Sequence, residues 1–180
     1  MDTATSQKVK RIAIVGPECT GKTDLAHFLA HHYQTSWVPE YAREYINQLS
    51  RPYKKDDLIK IAEGQVLLEN QWALQANKLL FCDTTLVVIK IWSEFKYGDC
   101  PTEIIERMNS QNYALHLLTN IDIPWVDDPQ REHPDKREML FDIYKSELVK
   151  QQISFVEVKG IGEARREAAL KAVNAILQRT

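Results

Sequence analysis

Residues Gly16-Pro17-Glu18-Cys19-Thr20-Gly21-Lys22-Thr23 follow directly on the apolar run Ile12-Ala13-Ile14-Val15 and lead directly into Asp24-Leu25-Ala26-His27-Phe28-Leu29-Ala30. A strand, a glycine-bounded loop, Lys-Thr and a helix in that order make the phosphate-binding loop of a nucleoside triphosphate site. Gly16 and Gly21 let the backbone curl so that successive N–H groups point inward as an anion nest. The helix beginning near Lys22 adds the positive end of its dipole. On this reading Gly16, Pro17, Glu18, Cys19, Thr20, Gly21, Lys22 and Thr23 cradle the nucleotide. Lys22 reaches the β- and γ-phosphates, and the Thr23 hydroxyl sits on Mg²⁺. Glu18 puts a negative charge near those phosphates and faces either solvent or a second ligand beside the γ-phosphate.

The chain has 180 residues, 44% hydrophobic and 27% charged, with a net charge of −2. That size and balance fit one soluble domain over residues 1–180 with a core of its own. Basic and acidic residues are mixed along the chain, so no basic stripe points to nucleic acid. No apolar run approaches membrane-spanning length, so no membrane partner is expected. Met1 to Gln7 is polar, without the apolar core of a secretory signal. Cys19, Cys82 and Cys100 are odd in number and widely spaced, which suggests a reducing compartment, hence the cytoplasm, and neither a disulfide frame nor a zinc site. Cys19 reads as a small loop residue.

Apolar and polar segments alternate along the whole chain. Strands are expected at 11–15, 36–39, 79–82, 113–118 and 154–158. Helices are expected at 22–32, 56–77, 86–92 and 102–109, from Asp135 onward, and after Gly160 and Gly162. Leu58, Ile61, Ala62, Leu68 and Trp72 recur at helical spacing, so Trp72 belongs to the core. Thr102 is a candidate N-cap, and Asp135 with Glu138 reads as a capping box before an apolar face of Leu140, Ile143, Tyr144 and Leu148. The last helix turns Leu170, Val173 and Leu177 inward. Such alternation gives an α/β fold, a parallel sheet covered on both faces.

In an open parallel sheet, ligands gather at the carboxyl ends of the strands. Asp83 ends the third strand, where the acid that handles Mg²⁺ or its water belongs, and Glu40 occupies the equivalent end of the second. One carboxylate organises the metal and the other accepts the proton of an attacking hydroxyl; position does not say which. Arg43 either grips substrate or pairs with Glu44 or Glu40. Trp125 to Pro134 is long, polar and punctuated by proline, and reads as a lid within about 120–135 that carries Arg131 to the migrating phosphoryl group. Arg137 and Lys136, which start the next helix, are weaker candidates for the same role and read rather as a solvated face. Tyr41, Tyr45, Trp92, Tyr97 and Trp125 cluster near the mouth, where a flat or cationic ring would stack. His27 and His31 are four apart, but no third ligand accompanies them, so they read as a solvated face.

Taken in order, Gly16 to Thr23, Glu40-Tyr41-Ala42-Arg43-Glu44-Tyr45, Phe81-Cys82-Asp83-Thr84, and Trp125-Val126-Asp127-Asp128 with Arg131 resemble the ribosylnicotinamide kinase domain of the bacterial NadR-type proteins of NAD biosynthesis. The resemblance covers nearly the whole chain. It implies a phosphate-loop small-molecule kinase fold, a five-stranded parallel sheet flanked by helices with a lid. It also implies ATP and Mg²⁺ as cofactors and phosphorylation of the 5′-hydroxyl of nicotinamide riboside to the mononucleotide. Carried over by position, Lys22 and Thr23 serve ATP and the metal. Asp83 lies by the reacting hydroxyl, Glu40 and Arg43 lie near the substrate, and Asp128 and Arg131 belong to the lid. Full-length family members place an adenylyltransferase domain, and some a DNA-binding domain, ahead of the kinase; the first strand here begins almost at once, so neither is expected. Thr85 stands where an acidic residue is expected after Asp-Thr. Ile91 to Gly98 departs from the better-known members, at positions that border the substrate.

A kinase for another nucleoside or nucleotide would use the same parts. A regulatory ATP or GTP switch is the alternative from another class. Against a GTPase there is no Asn-Lys-x-Asp segment, and against an AAA-type motor there is neither an extra helical domain nor a sensor arginine.

Overall fold

A computed structural model describes residues 9–178, so the polar Met1–Gln7 segment lies outside the described residues. The chain runs β1 (Lys10–Val15), α1 (Lys22–His32), β2 (Ser36–Val38), α2 (Tyr41–Asn47), α3 (Lys55–Ala73), β3 (Leu79–Asp83), α4 (Leu86–Tyr97), α5 (Thr102–Ser110), β4 (Leu115–Thr119), α6 (Arg137–Lys150), β5 (Phe155–Val158) and α7 (Glu163–Leu177). The five strands form one sheet in the order β2-β3-β1-β4-β5, every pairing parallel. The α/β class and the five-stranded parallel sheet expected from the alternation are both present.

Alternation along β1 splits the core. Ile12 and Ile14 pack with Leu25, Leu29, Phe81, Leu117 and Val173 under α1 and α7. Ala13 and Val15 face the other way, toward Leu58, Ile61, Leu86, Ile104 and Leu148. Each buried side chain of this size contributes on the order of 1.5–3 kcal/mol, which makes β1 the axis of the fold. Register places Ile14 beside both Asp83 and Leu117, so the loop after β1, the end of β3 and the end of β4 share one edge of the sheet.

Several local expectations shift. Pro101 takes the N-cap of α5, because its carbonyl already accepts the Ile104 N–H, and Thr102 is the first helical residue. Asp135 and Glu138 form no capping box: Pro134 starts a separate 3-10 turn at Pro134–Lys136, and α6 opens at Arg137 without a side-chain cap. Instead, Asp57 in the first turn of α3 accepts the Lys54 N–H at 2.7 Å. The helix α3 stops at Ala73, short of Asn77, and α4 runs on past Trp92 to Tyr97. Among the described residues no helix is long and apolar enough to cross a membrane.

Candidate active site

The loop between β1 and α1 is held from outside by its carbonyls. Arg137 Nη2 donates to Cys19 O at 3.1 Å, and also to Ile121 O and Ile123 O. Arg165 Nη2 donates to Thr20 O, with Asn120 O and Gly160 O as further acceptors. A planar trans peptide turns the following N–H the opposite way, so the Thr20 and Gly21 amides face away from these guanidinium groups. Arg137 is therefore no solvated helix residue, and Arg165, buried on α7, carries no local signal in the sequence. Lys22 Nζ spans Gly16 O and Pro17 O at 3.0 and 2.8 Å. Burial lowers its pKa, against the charges of Glu40 and Asp83. Both loop glycines are required: Gly16 has φ +143 and a Cβ there would meet Thr119 Oγ1 at 2.5 Å, while Gly21 has φ +70. The helix α1 begins with no side-chain cap, leaving its first-turn N–H groups directed at the loop.

Asp83 is 1% exposed. Its Oδ2 accepts the Thr23 hydroxyl at 2.6 Å, and its buried Oδ1 has no hydrogen-bond partner. Burial, then the charge of Glu40, pushes its pKa up to about 6, with Lys22 and Thr23 pulling the other way. A hydroxyl and a carboxylate with a free oxygen fit a hard cation such as Mg²⁺. No group of three or more His, Cys, Asp or Glu among the described residues could hold a metal, so most ligands of an ion here would have to come from a bound nucleotide and water. His27 and His31 are both exposed on α1.

Segment 120–136 folds back over the loop. Asp128 takes Arg43 at 2.8 Å, and Arg43 also lies 3.9 Å from Glu40. Gln130 reaches Arg43 O and Asn47. The Val126 N–H donates to Cys19 Sγ at 3.2 Å. Glu18 is half-buried at the edge of the cavity, and its carboxylate accepts the Glu132 and His133 N–H groups. Arg131 donates to Val126 O, with its guanidinium 5.9 Å from the Trp125 ring centre.

One cavity of about 450 Å³ joins these parts. It is lined by Gly16 to Asp24, Glu40, Arg43 and Arg131, and extends to Tyr53, Trp92 and Phe95. Of the expected substrate residues, Glu40, Arg43 and Trp92 line it; Tyr41, Tyr97, Trp125 and Asp128 do not. The Tyr41 ring fills the space over Gly64 on α3, and its N–H bonds Gln65. Tyr97 packs into the helical core, Trp125 bonds Asp127, and Asp128 acts through Arg43. Thr85 is wholly buried at the N-cap of α4, away from the cavity. Tyr53 was missed: it follows Pro52 in a short loop without periodicity, yet it accepts Trp92 Nε1 at 3.1 Å and donates to Glu132. Phe95 falls in the Ile91–Gly98 stretch expected to border the substrate but was not singled out there; it lines the cavity one turn from Trp92 on the same face of α4.

A family model described as an AAA domain (AAA_28) matches residues 11–165, the phosphate-loop core. Among curated proteins, the chain is 26% identical over 160 residues to the trifunctional NAD biosynthesis/regulator protein NadR of Salmonella typhimurium, and 27% identical to that of Escherichia coli K12. Each alignment covers 84% of this chain and 38% of the relative, so the chain spans about two fifths of the length of the curated relatives it matches. Among solved structures, a NadR protein in complex with NAD and AMP-PNP superposes with a TM-score of 0.78 at 20% identity, over 94% of this chain and 50% of that one. A NadR protein in complex with NR gives 0.75 at 22%, over 94% and 52%. The thymidylate kinase of Ehrlichia chaffeensis gives 0.64 at 12%, over 93% and 98%. At these identities the structural likeness establishes the fold, the phosphate-loop fold of small kinases.

Proposed function

The chain belongs to this AAA domain family, and from that footing we propose that it is an ATP-dependent small-molecule kinase. It transfers a phosphoryl group to the 5′-hydroxyl of a nucleoside, with nicotinamide riboside as the acceptor and nicotinamide mononucleotide as the product. The observation that carries this reading is one cavity lined together by the phosphate loop, Glu40 and the aromatic side chains Tyr53, Trp92 and Phe95. The NR complex of a similarly folded protein and the NAD biosynthesis name of the relatives favour this acceptor.

On this reading the phosphates of ATP lie against the loop amides, Lys22 neutralises their outer end, and Arg131 brings the lid's positive charge to the group in transfer. Mg²⁺ held by Thr23 and Asp83 would offset negative charge on the phosphoryl oxygens. The 5′-oxygen bonds to the γ-phosphorus, the bond from that phosphorus to its bridging oxygen breaks, and ADP leaves. The hydroxyl proton passes to Glu40, which opens onto the cavity, whereas Asp83 is buried with one oxygen committed to Thr23. Tyr53, Trp92 and Phe95 line the aromatic end, where Lys96 and Lys136 already lie over the Tyr53 and Phe95 rings, and Glu18 and Glu40 line the same space with charge that favours a cationic pyridinium ring. Arg43 and Arg51 are already paired, with Asp128 and Asp57, which favours a nucleoside without a phosphate group over a nucleotide as acceptor.

The test is ADP formation from ATP and magnesium with a panel of nucleosides and nucleoside monophosphates. Turnover with nicotinamide riboside, abolished in Lys22→Ala, supports the proposal. Turnover confined to a monophosphate refutes the acceptor, and slow hydrolysis indifferent to every acceptor supports a nucleotide switch.

A further inference from the structure

Glu18 is an odd residue for its place. Most of the phosphate loop offers amides or a cation, and this position offers a negative charge close to Lys22. Like charge beside a polyphosphate costs binding energy, so the carboxylate needs another use. The structure supplies one. Glu18 Oε1 lies 3.2 Å from the Glu132 N, and Oε2 lies 3.1 Å from the same nitrogen and 3.0 Å from the His133 N. Two consecutive backbone N–H groups thus converge on one carboxylate, a charge-assisted anchor.

The anchored residues come directly after Arg131. Adjacent Cα atoms are about 3.8 Å apart, so fixing the 132 and 133 amides fixes where the Arg131 side chain begins. Asp128 to Arg43 and Val126 to Cys19 tie the lid to the body before Arg131 in the chain; after it, the Glu132 carboxylate accepts from Tyr53 and Lys96. Glu18 adds the hold on the backbone itself on that far side, and Arg131 is pinned from both directions.

We propose that Glu18 is a positioning residue that latches the lid to the phosphate loop and thereby sets Arg131 over the transferring phosphoryl group. The latch is a matter of geometry in the protein alone; its effect on turnover rests on the kinase reading above.

Two measurements separate the two ideas. The first is amide hydrogen exchange of the full chain without nucleotide. In Glu18→Ala the amides of Glu132 and His133 should exchange roughly tenfold faster or more, as expected for lost charge-assisted bonds. Amides of Ile12 to Val15 and Leu115 to Thr119 should keep their protection, which reports an intact fold. Glu18→Gln retains one acceptor oxygen and should fall between. Unchanged exchange at 132 and 133 overturns the latch whatever the enzyme does.

The second measurement is kinetic, with ATP and riboside. Glu18→Ala should lower kcat roughly tenfold or more while calorimetric ATP affinity holds or tightens, with partial rescue by Gln. Weakened ATP affinity with kcat intact would make Glu18 a nucleotide ligand and overturn the latch. If the wild type phosphorylates no riboside, the kinase reading falls and the exchange data still decide the latch.

Discussion

Replacing Asp83 by Asn exchanges a buried carboxylate for a neutral group of the same shape. The folded pKa is pushed up to about 6, against about 3.9 for an unfolded aspartate. Above pH 6 the folded protein carries a charge that the unfolded chain accommodates better, so Asp83 weakens the fold there. As pH drops through 6 toward 3.9, the folded carboxyl takes its proton first and the penalty fades. The gap of about two pKa units amounts to roughly 3 kcal/mol at pH 8 and about half that at pH 5. That gap already includes the favourable pull of Lys22, Thr23 and Arg43; part of the gain is offset because an Asn amide nitrogen at the partnerless Oδ1 position would be buried without an acceptor. Asp83→Asn should therefore be more stable than wild type at pH 8 by roughly 1–2 kcal/mol, about 2–8 °C in Tm for a chain of this size, and by less at pH 5. Thermal unfolding followed by circular dichroism at the two pH values, without magnesium or nucleotide, measures this directly. The same variant should lose turnover, so stability and activity move in opposite directions. A Tm difference that fails to grow between pH 5 and pH 8 would refute the account of Asp83 as a charge held buried at a cost to the fold.

Other consequences can be checked separately. Because protonation of Asp83 sets in below pH 6 and removes its charge from the metal side of the site, kcat/KM should decline on the acid side with an apparent pKa near the value of about 6 given for that group; a profile flat to pH 5 would contradict it. Arg131→Ala should lower turnover by roughly 10³-fold or more if its charge acts in the transition state, and unchanged turnover and affinity would remove the lid assignment. A Cβ at Gly64 would lie 1.9 Å from the Tyr41 ring, so Gly64→Ala should cost about 1–3 kcal/mol despite the better helix propensity of alanine. A Tm equal to or above wild type would show that the ring yields freely.

What could be read from the chain was what local chemistry decides. The loop motif, the strand–helix alternation and the carboxylates at strand ends rest on neighbours in sequence; Glu40 and Arg43 line the cavity, and Asp83 meets it through the Thr23 hydroxyl. The aromatics were harder, since composition says nothing about which side of a helix faces the site. On α2, Ala42, Arg43 and Ile46 line the cavity, while Tyr41 and Tyr45, one turn apart, face α3 through Gly64 and Asp57. On α4 the lining residues are Val88, Ile91, Trp92 and Phe95, spaced i, i+3, i+4 and i+7. Tyr97 lies two residues past Phe95 and so about 200° around the axis. With the helix boundaries known, periodicity alone would have kept Phe95 and set Tyr41 and Tyr97 aside.

The cations behind the phosphate loop were beyond any such reading. Arg137 and Arg165 are 118 and 145 residues from the phosphate-loop carbonyls of Cys19 and Thr20 that they hold. Each arrives on a helix that packs against the sheet for its own apolar reasons, Leu140 and Leu148 on α6 and Ala169 and Val173 on α7. The motif specifies a backbone able to form a nest of amides. Whether those amides stay turned inward depends on what their carbonyls meet on the other side, and here that is a guanidinium at Cys19 and another at Thr20. A loop held in this way gives up little conformational freedom when an anion enters, so its dipoles are oriented before the charge arrives, the condition under which backbone amides are most effective toward a polyphosphate.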